Sequence, residues 1–363
     1  MADIGLPNIS IIFEGLGASA VQRGSRGIAL LIVKDDTDTT FDFAEYTSEA
    51  DLTSTEIEKY TADNVQYIKD VLTGTPSKVI VARMDTTGTL ADLLTKIKGK
   101  KFDWIGLAEG TTTDQDSLVS WVKSTNTNDK KTYKCVAFNA TVTDDMHVVN
   151  FTNADVTMKD SRNKITGDKF IARLVGFLAG MPLTMSAIAK TFDDVESVTE
   201  PEDLEAAVNA GEFVLFNDED EVRVERAVNS LVTTGEDVTD DMKFILIVET
   251  MDLIYNDIYT TWKKFYKGKY KNKLDNQMLL VDAINAYFSA LEKDSLLDNA
   301  FGNKAFIDVE EQRLANIPKY GADVVATWDD DKVMAMTFGT NVFLDSTIKI
   351  LNAMEDFRMK IKM

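Results

Sequence analysis

The sequence predicts a mixed α/β and α+β protein, a βα-repeat part with a largely parallel sheet followed by a part of mixed sheet and two long helices. From about residue 27 to residue 140, buried-strand runs alternate with helical periodicity, the pattern of parallel strands joined by crossing helices. The rhythm ends in the acidic stretch 193–205, beyond which a hairpin and two amphipathic helices dominate. A strand-like run also stands at each end. Residues 8–14 carry Ile9, Ile11 and Phe13 at alternate positions, and residues 357–363 alternate Phe357, Met359 and Ile361 with basic residues. Such runs are either tied into the chain's own sheet or lent to neighbours by β-augmentation, and on these residues alone the first outcome is the simpler.

The elements follow in order. Residues 27–33 read as a buried strand. Val65, Ile68 and Leu72 give residues 61–72 helical spacing, Gly74 and Pro76 close that helix, and 78–83 is the next strand. A helix over 90–97 leads to a strand over 102–107. A helix over 114–122, opened by Thr113 and Asp116 as a capping pair, leads to a strand over 134–140. Strand-like 147–151 and 156–159 come next, then a helix over 167–180 stopped by Met181 and Pro182. The change of texture places a domain boundary near residue 190, giving an arm over 1–19, domains over 20–190 and 191–340, and a second arm over 341–363. Strands over 213–216 and 221–226 form a hairpin around an acidic turn at 217–220. The longest helix is expected over 240–266, with Ile247, Met251, Ile254, Ile258, Trp262 and Phe265 on one face, and a second over 276–291. Strands over 305–309 and 332–338, the latter after the Asp329-Asp330-Asp331 turn, precede the terminal run.

Composition narrows the function. At 363 residues, with 44% hydrophobic and 27% charged content, the chain has material for two ordinary globular domains. A net charge of -21 argues against a nucleic-acid partner, which would require clustered Lys and Arg to release counterions. The single cysteine, Cys135, lies in an apolar run, so it forms no internal disulfide and reads as a buried small hydrophobe of a reducing, cytoplasmic protein. Asp3 and the lack of basic residues beside it do not match a signal peptide, and no apolar stretch is long enough for direct membrane insertion.

Motifs for catalysis are sparse. Gly15-Leu16-Gly17-Ala18-Ser19-Ala20 has the spacing of a dinucleotide loop, with Asp35 and Asp36 where a ribose-binding acid would stand. Gly24 and Gly27 leave too few residues for the helix whose N-terminus must face the pyrophosphate, so Gly15 and Gly17 read better as hinges. The one histidine, His147, sits in a strand-like run and reads as structural. Acidic clusters at 35–38, 218–221 and 329–331 lack the loop glycine and closing Glu of an EF-hand, and no phosphate-binding Walker loop is present. No catalytic residue, metal ligand or cofactor is assigned. The dinucleotide-binding oxidoreductase stays as the alternative reading.

One cluster runs against the acidic background. Lys263, Lys264, Lys267, Lys269, Lys271 and Lys273 interleave with Trp262, Phe265, Tyr266 and Tyr270. Part of it is explained as lysines suiting a helix C-terminus, and part fits a docking patch for an acidic neighbour.

The run from Gly211 to Asp218 (GEFVLFND) and the run from Val222 to Leu231 (VRVERAVNSL) resemble the C-terminal signature of contractile phage tail sheath proteins. They look most like the short sheaths of R-type bacteriocins, such as diffocin-like particles, and of defective prophages of Gram-positive bacteria. The likeness extends to residues 252–257, 268–272 and both ends, firmly after residue 205 and loosely before it. It implies a non-enzymatic subunit that stacks helically around an inner tail tube and contracts without hydrolysing nucleotide. Its arms would lend strands to adjacent subunits, hinged at Gly15, Gly17 and Asn352. The βα domain would face outward and the C-terminal domain toward the tube, with the six lysines a candidate tube or subunit contact. The implied partners are further copies of the chain, the tube protein, and baseplate and tail-terminator proteins. Assembly would take place in the bacterial cytoplasm, before release of a phage tail or bacteriocin particle.

Overall fold

A computed structural model of the chain describes residues 20, 21, 23, 24 and 26–363. They pack as two units, Gly24–Ile254 with Asn352–Met363, and Tyr255–Leu351 with the described residues up to Arg23.

Along the first unit run β1 (Ile28–Lys34), β2 (Phe43–Tyr46), α1 (Ser54–Ile57), α2 (Ala62–Thr73), β3 (Lys78–Met84), α3 (Leu90–Ile97), β4 (Trp104–Leu107), α4 (Thr112–Asp129) and β5 (Lys134–Phe138). Then come β6 (Val148–Phe151), β7 (Asp155–Met158), β8 (Lys164–Thr166), α5 (Gly167–Gly180), β9 (Val195–Val198), α6 (Leu204–Asn209), β10 (Glu212–Phe213), β11 (Leu215–Asp218) and β12 (Glu221–Val224). A seven-stranded sheet of order β10-β6-β5-β4-β1-β3-β2 forms the centre, parallel except for the edge strand β2. β1 is buried on both faces. Ala29, Leu31 and Val33 join the core with α2 and α5, while Ile28, Leu30 and Ile32 join that with α3 and α4. Helices α2 and α5 touch backbone to backbone, and a Cβ on Gly74, Gly176 or Gly180 would overlap main-chain atoms of the facing segment. Only glycine permits that approach.

Several elements differ from the sequence reading, each for a local reason. Thr111 and Asp114 form the capping box of α4, two residues ahead of the expected pair. Asp116 instead accepts hydrogen bonds from Thr141 N and Oγ1. The hairpin is β11–β12, shifted along the chain because Glu212 and Phe213 leave it to pair with β6 as β10. That pairing places β10 in the central sheet of the first unit. The edge strand β2 has no counterpart in the sequence reading, its run Phe43–Tyr46 being too short to show a strand period.

In the remainder of the chain, α7 (Ile245–Thr261) runs from the first unit into the second. It ends in a π-helical turn at Trp262–Tyr266, and a 3₁₀ turn, Asp240–Lys243, precedes it. The single long helix expected there is therefore three pieces, and α8 (Leu274–Lys293) is longer than α7. β13 (Lys304–Ile307), α9 (Val309–Tyr320), α10 (Ala322–Val325), α11 (Asp330–Ala335) and β14 (Leu344–Thr347) complete the second unit. The expected strand over 332–338 is helix α11 at its start, because the Asp329 carboxylate accepts from Lys332 N (2.8 Å) and nucleates a turn. β14 pairs antiparallel with β13, and Leu351 N donates to Leu296 O, so residues 344–351 pack with the second unit and the segment that leaves it begins at Asn352.

Candidate assembly surfaces

The segment 352–363 has no regular secondary structure, yet its two halves differ. In the first half, Glu355 turns inward until its side chain is 4% exposed, and Ser186 Oγ donates to its Oε1 (2.9 Å). Arg226 Nε lies 3.4 Å from Glu355 Oε2, and Arg226 Nη2 donates to Asp356 Oδ2 (2.9 Å). The guanidinium also rests 5.7 Å from the Phe244 ring centroid. Its hydrogen bond to Asp356 holds that carboxyl below the usual range and raises the Arg226 pKa in turn. Asn352, the expected hinge, uses its Oδ1 to accept from Ala353 N (2.9 Å). In the second half, Phe357, Met359 and Ile361 are 87%, 64% and 72% exposed. An alternating apolar run left in water is the state of a strand awaiting a partner. Its counterpart at Ile9, Ile11 and Phe13, with the hinge glycines Gly15 and Gly17, lies outside the described residues.

The six lysines lie on and after the π-helical turn, and all are exposed. Lys267, Lys269 and Lys271 line a groove of about 650 Å³ with Trp262, Tyr270 and Gln277. Lys263 and Lys264 sit on the turn itself, whereas Lys273 occupies the N-cap position of α8 and pairs with Asp275 (2.7 Å). The aromatic residues form a stacked series, Trp262 on Tyr266 and Tyr266 on Tyr270. Gln277 is buried beneath them, donating from Nε2 to Asn272 Oδ1 (2.7 Å).

His147 belongs to a buried charge cluster at the starting ends of the parallel strands. Lys134 Nζ lies 2.7 Å from Asp252 Oδ2 and 3.4 Å from Glu249 Oε1, and His147 Nε2 lies 3.1 Å from Asp252 Oδ1. Trp104 Nε1 donates to Glu249 Oε1 (2.6 Å), and Arg26 Nη2 donates to its Oε2 (2.5 Å). Burial works against a charged imidazole, but hydrogen bonds with Asp145 and Asp252 and the Asp252 charge raise the His147 pKa to about 9. Burial likewise opposes a charged Lys134, and the Asp252, Glu249 and Asp103 carboxylates more than offset it. The cluster fastens the start of α7 to β4, β5 and the segment leading into β6. No spacing signal reveals it, because its members are far apart in sequence.

The acids of the dinucleotide reading are occupied elsewhere. Asp35 is buried and accepts from Thr37 N, Thr61 N and Asn64 Nδ2, while Asp36 accepts from Thr86 N and Oγ1. Residues 15–19 of the loop lie outside the described residues, and the described residues between it and β1 (20, 21, 23, 24, 26 and 27) are not helical, whereas a dinucleotide fold requires a helix there. Of the other acidic turns, Asp329 caps α11 and Asp218 and Glu221 pair with Arg223. Cys135 is buried, and its thiol pKa is pushed up by that burial. Among the described residues no helix is long and apolar enough to cross a membrane.

Comparison with known proteins adds four likenesses. A family model described as the phage tail sheath C-terminal domain matches residues 237–363. A tail sheath protein of Clostridium phage phiCD119 is 30% identical over 369 residues, spanning 99% of each chain. Among solved structures, the anti-feeding prophage helical sheath in its contracted state matches with a TM-score of 0.69 at 13% identity, over 99% of each chain. A sheath tail protein from Listeria innocua matches with a TM-score of 0.66 at 16% identity, over 80% of this chain and 91% of the other.

Proposed function

This chain belongs to the phage tail sheath family, and on that premise we propose that it polymerises helically around an inner tube and contracts to drive the tube through a cell envelope, without hydrolysing nucleotide. The observation that carries the proposal is the exposed alternating run Phe357, Met359 and Ile361, which has the pattern of a strand but no partner strand among the described residues. Lent to a neighbouring copy, the run gains a ladder of main-chain hydrogen bonds and buries its apolar side chains. Residues 8–14, through Ile9, Ile11 and Phe13, are proposed to do the same at the other end. One donor and one acceptor surface per chain generate an open helical lattice, since a heterologous contact that does not close on itself propagates.

On this reading contraction draws on the difference in buried surface between two lattice states. Many identical interfaces switching together need only a few kcal/mol each. The part ending near residue 190 faces outward and the C-terminal part inward, and the lysines at 263–273 meet an acidic surface of the tube or of a neighbouring subunit. Baseplate and terminator proteins bind the two ends of the lattice. The helical sheath and baseplate assemblies of the anti-feeding prophage, whose fold this chain shares, support self-association and baseplate contact.

Electron microscopy of the purified chain, alone and co-expressed with its tube, alongside a variant ending at Asp356, tests the reading. Tubes from the intact chain and dispersed particles from the shortened one are expected. Dispersed particles from both in both settings would refute it. Added dinucleotide or ATP is expected to leave the melting temperature unchanged, whereas a ligand that bound the native state would raise it.

A further inference from the structure

The arginine inside the signature run 222–231 has a role that the strand-lending reading does not supply by itself. We propose that Arg226, with Ser186, Glu355 and Asp356, is a clasp that anchors the root of the lent strand to its own α/β unit, so that only residues 357–363 pass to the neighbour. The inference rests on the strand-lending reading and adds the residues that aim the strand.

Three observations carry it. First, the contacts stop abruptly: Glu355 is held by Ser186 and Arg226 and Asp356 by Arg226, whereas Phe357, Met359 and Ile361 stand in water. Second, the clasp is poorly built for stability. Asp356 is 82% exposed and Arg226 31% exposed, where ion pairs contribute little, while the Glu355 carboxylate is taken out of water. Among the described residues no hydrogen-bond donor reaches Glu355 Oε2, which leaves Arg226 as its compensating charge. Such a carboxylate is better explained by where it holds the chain than by what it adds to folding. Third, the parity fits. In a continuous extended segment Glu355 shares a face with Phe357, Met359 and Ile361, so fixing Glu355 fixes the direction in which the apolar side chains leave.

The clasp also shortens the tether. Without it, all twelve residues from Asn352 to Met363 would be loose; with it, seven are. Effective concentration falls roughly as the −3/2 power of tether length, so length alone is worth about a factor of two. Loss of the fixed departure direction adds to that, because a preorganised strand has less freedom to lose on pairing.

The test measures the critical concentration for tube formation by the full chain, by sedimentation. Arg226→Ala and Glu355→Gln are expected to raise it about three- to tenfold, and Arg226→Lys to restore most of it. A spin label at Ala353→Cys, a half-buried position beside Arg226 and specific because Cys135 is buried, should be restrained in the otherwise wild-type subunit and freed by Arg226→Ala. A label at Met359→Cys should be mobile in both. Should the variant ending at Asp356 assemble as well as the intact chain, the strand-lending reading fails and the clasp with it. A shortened variant that cannot assemble, beside Arg226→Ala and Glu355→Gln at the wild-type concentration, overturns the clasp alone. So does an Ala353 label as mobile as the Met359 label.

Discussion

His147 sits between Asp145 and Asp252, with Lys134 sharing the second carboxylate, so the cluster alternates charge through a volume with little water. A histidine whose folded pKa is about 9, against an ordinary value near 6.5, stabilises the fold fully below the lower value. That stabilisation fades as pH rises through the higher one, and it amounts to roughly 3 kcal/mol. Thermal melts from pH 6 to pH 10 should therefore separate the wild type from His147→Gln most at the acid end, and the gap should close near pH 10. A gap constant across the range would mean that His147 is not the titrating group. Lys134→Met removes the cation facing Asp252 and Glu249 and should cost about 3–5 kcal/mol, as breaking a buried pair does. Sequence periodicity could not show this cluster. His147 is legible as a structural residue in a strand-like run, but its partner Asp252 lies 105 positions away, on a helix whose apolar stripe hides a carboxylate that faces the sheet.

Glycine, not apolar spacing, decides the closest helix contact. Gly74, Gly176 and Gly180 let α2 and α5 meet at the main chain, and Gly176→Ala would force those backbones apart. It should destabilise the subunit by roughly 1–3 kcal/mol in denaturant unfolding. Gly99→Ala, where an added Cβ meets nothing within 4 Å, is the control and should be nearly neutral. Equal losses from the two would mean that the contact is slack. Elements with strong periodicity are legible in the sequence: α3 and α5 fall on their expected residues, and β1, β3 and β5 within about a residue or two. Two of the misses share a cause. Val333 and Met334 look like the start of a strand until the Asp329 carboxylate captures the Lys332 amide, and the cap of α4 lies at Thr111 because Asp114, not Asp116, reaches back to it. Capping is settled by which carboxylate reaches which amide, which competing acids a few residues apart leave ambiguous in a sequence.

Charge governs the molecule as a whole in two opposing ways. Each copy carries a net charge of -21, so approaching subunits repel, and that long-range repulsion is screened within about 8 Å at physiological ionic strength. On the proposed reading the lysine groove at 267–271 acts at contact distance, where intervening salt is largely excluded and screening is weaker. Raising salt from roughly 0.05 M to 0.3 M should therefore promote assembly of the wild type, because it removes more repulsion than attraction. Replacing Lys269 and Lys271 by Glu reverses the local term without touching the lent strand. The double variant should need a several-fold higher protein concentration to assemble at low salt, and the difference should narrow as salt rises. Light scattering across a salt series at several protein concentrations reads both effects. If the double variant followed the wild-type curve at every salt concentration, the groove would be an ordinary solvated surface. Assembly would then rest on the terminal strands alone, with the Arg226 clasp setting where one of them departs.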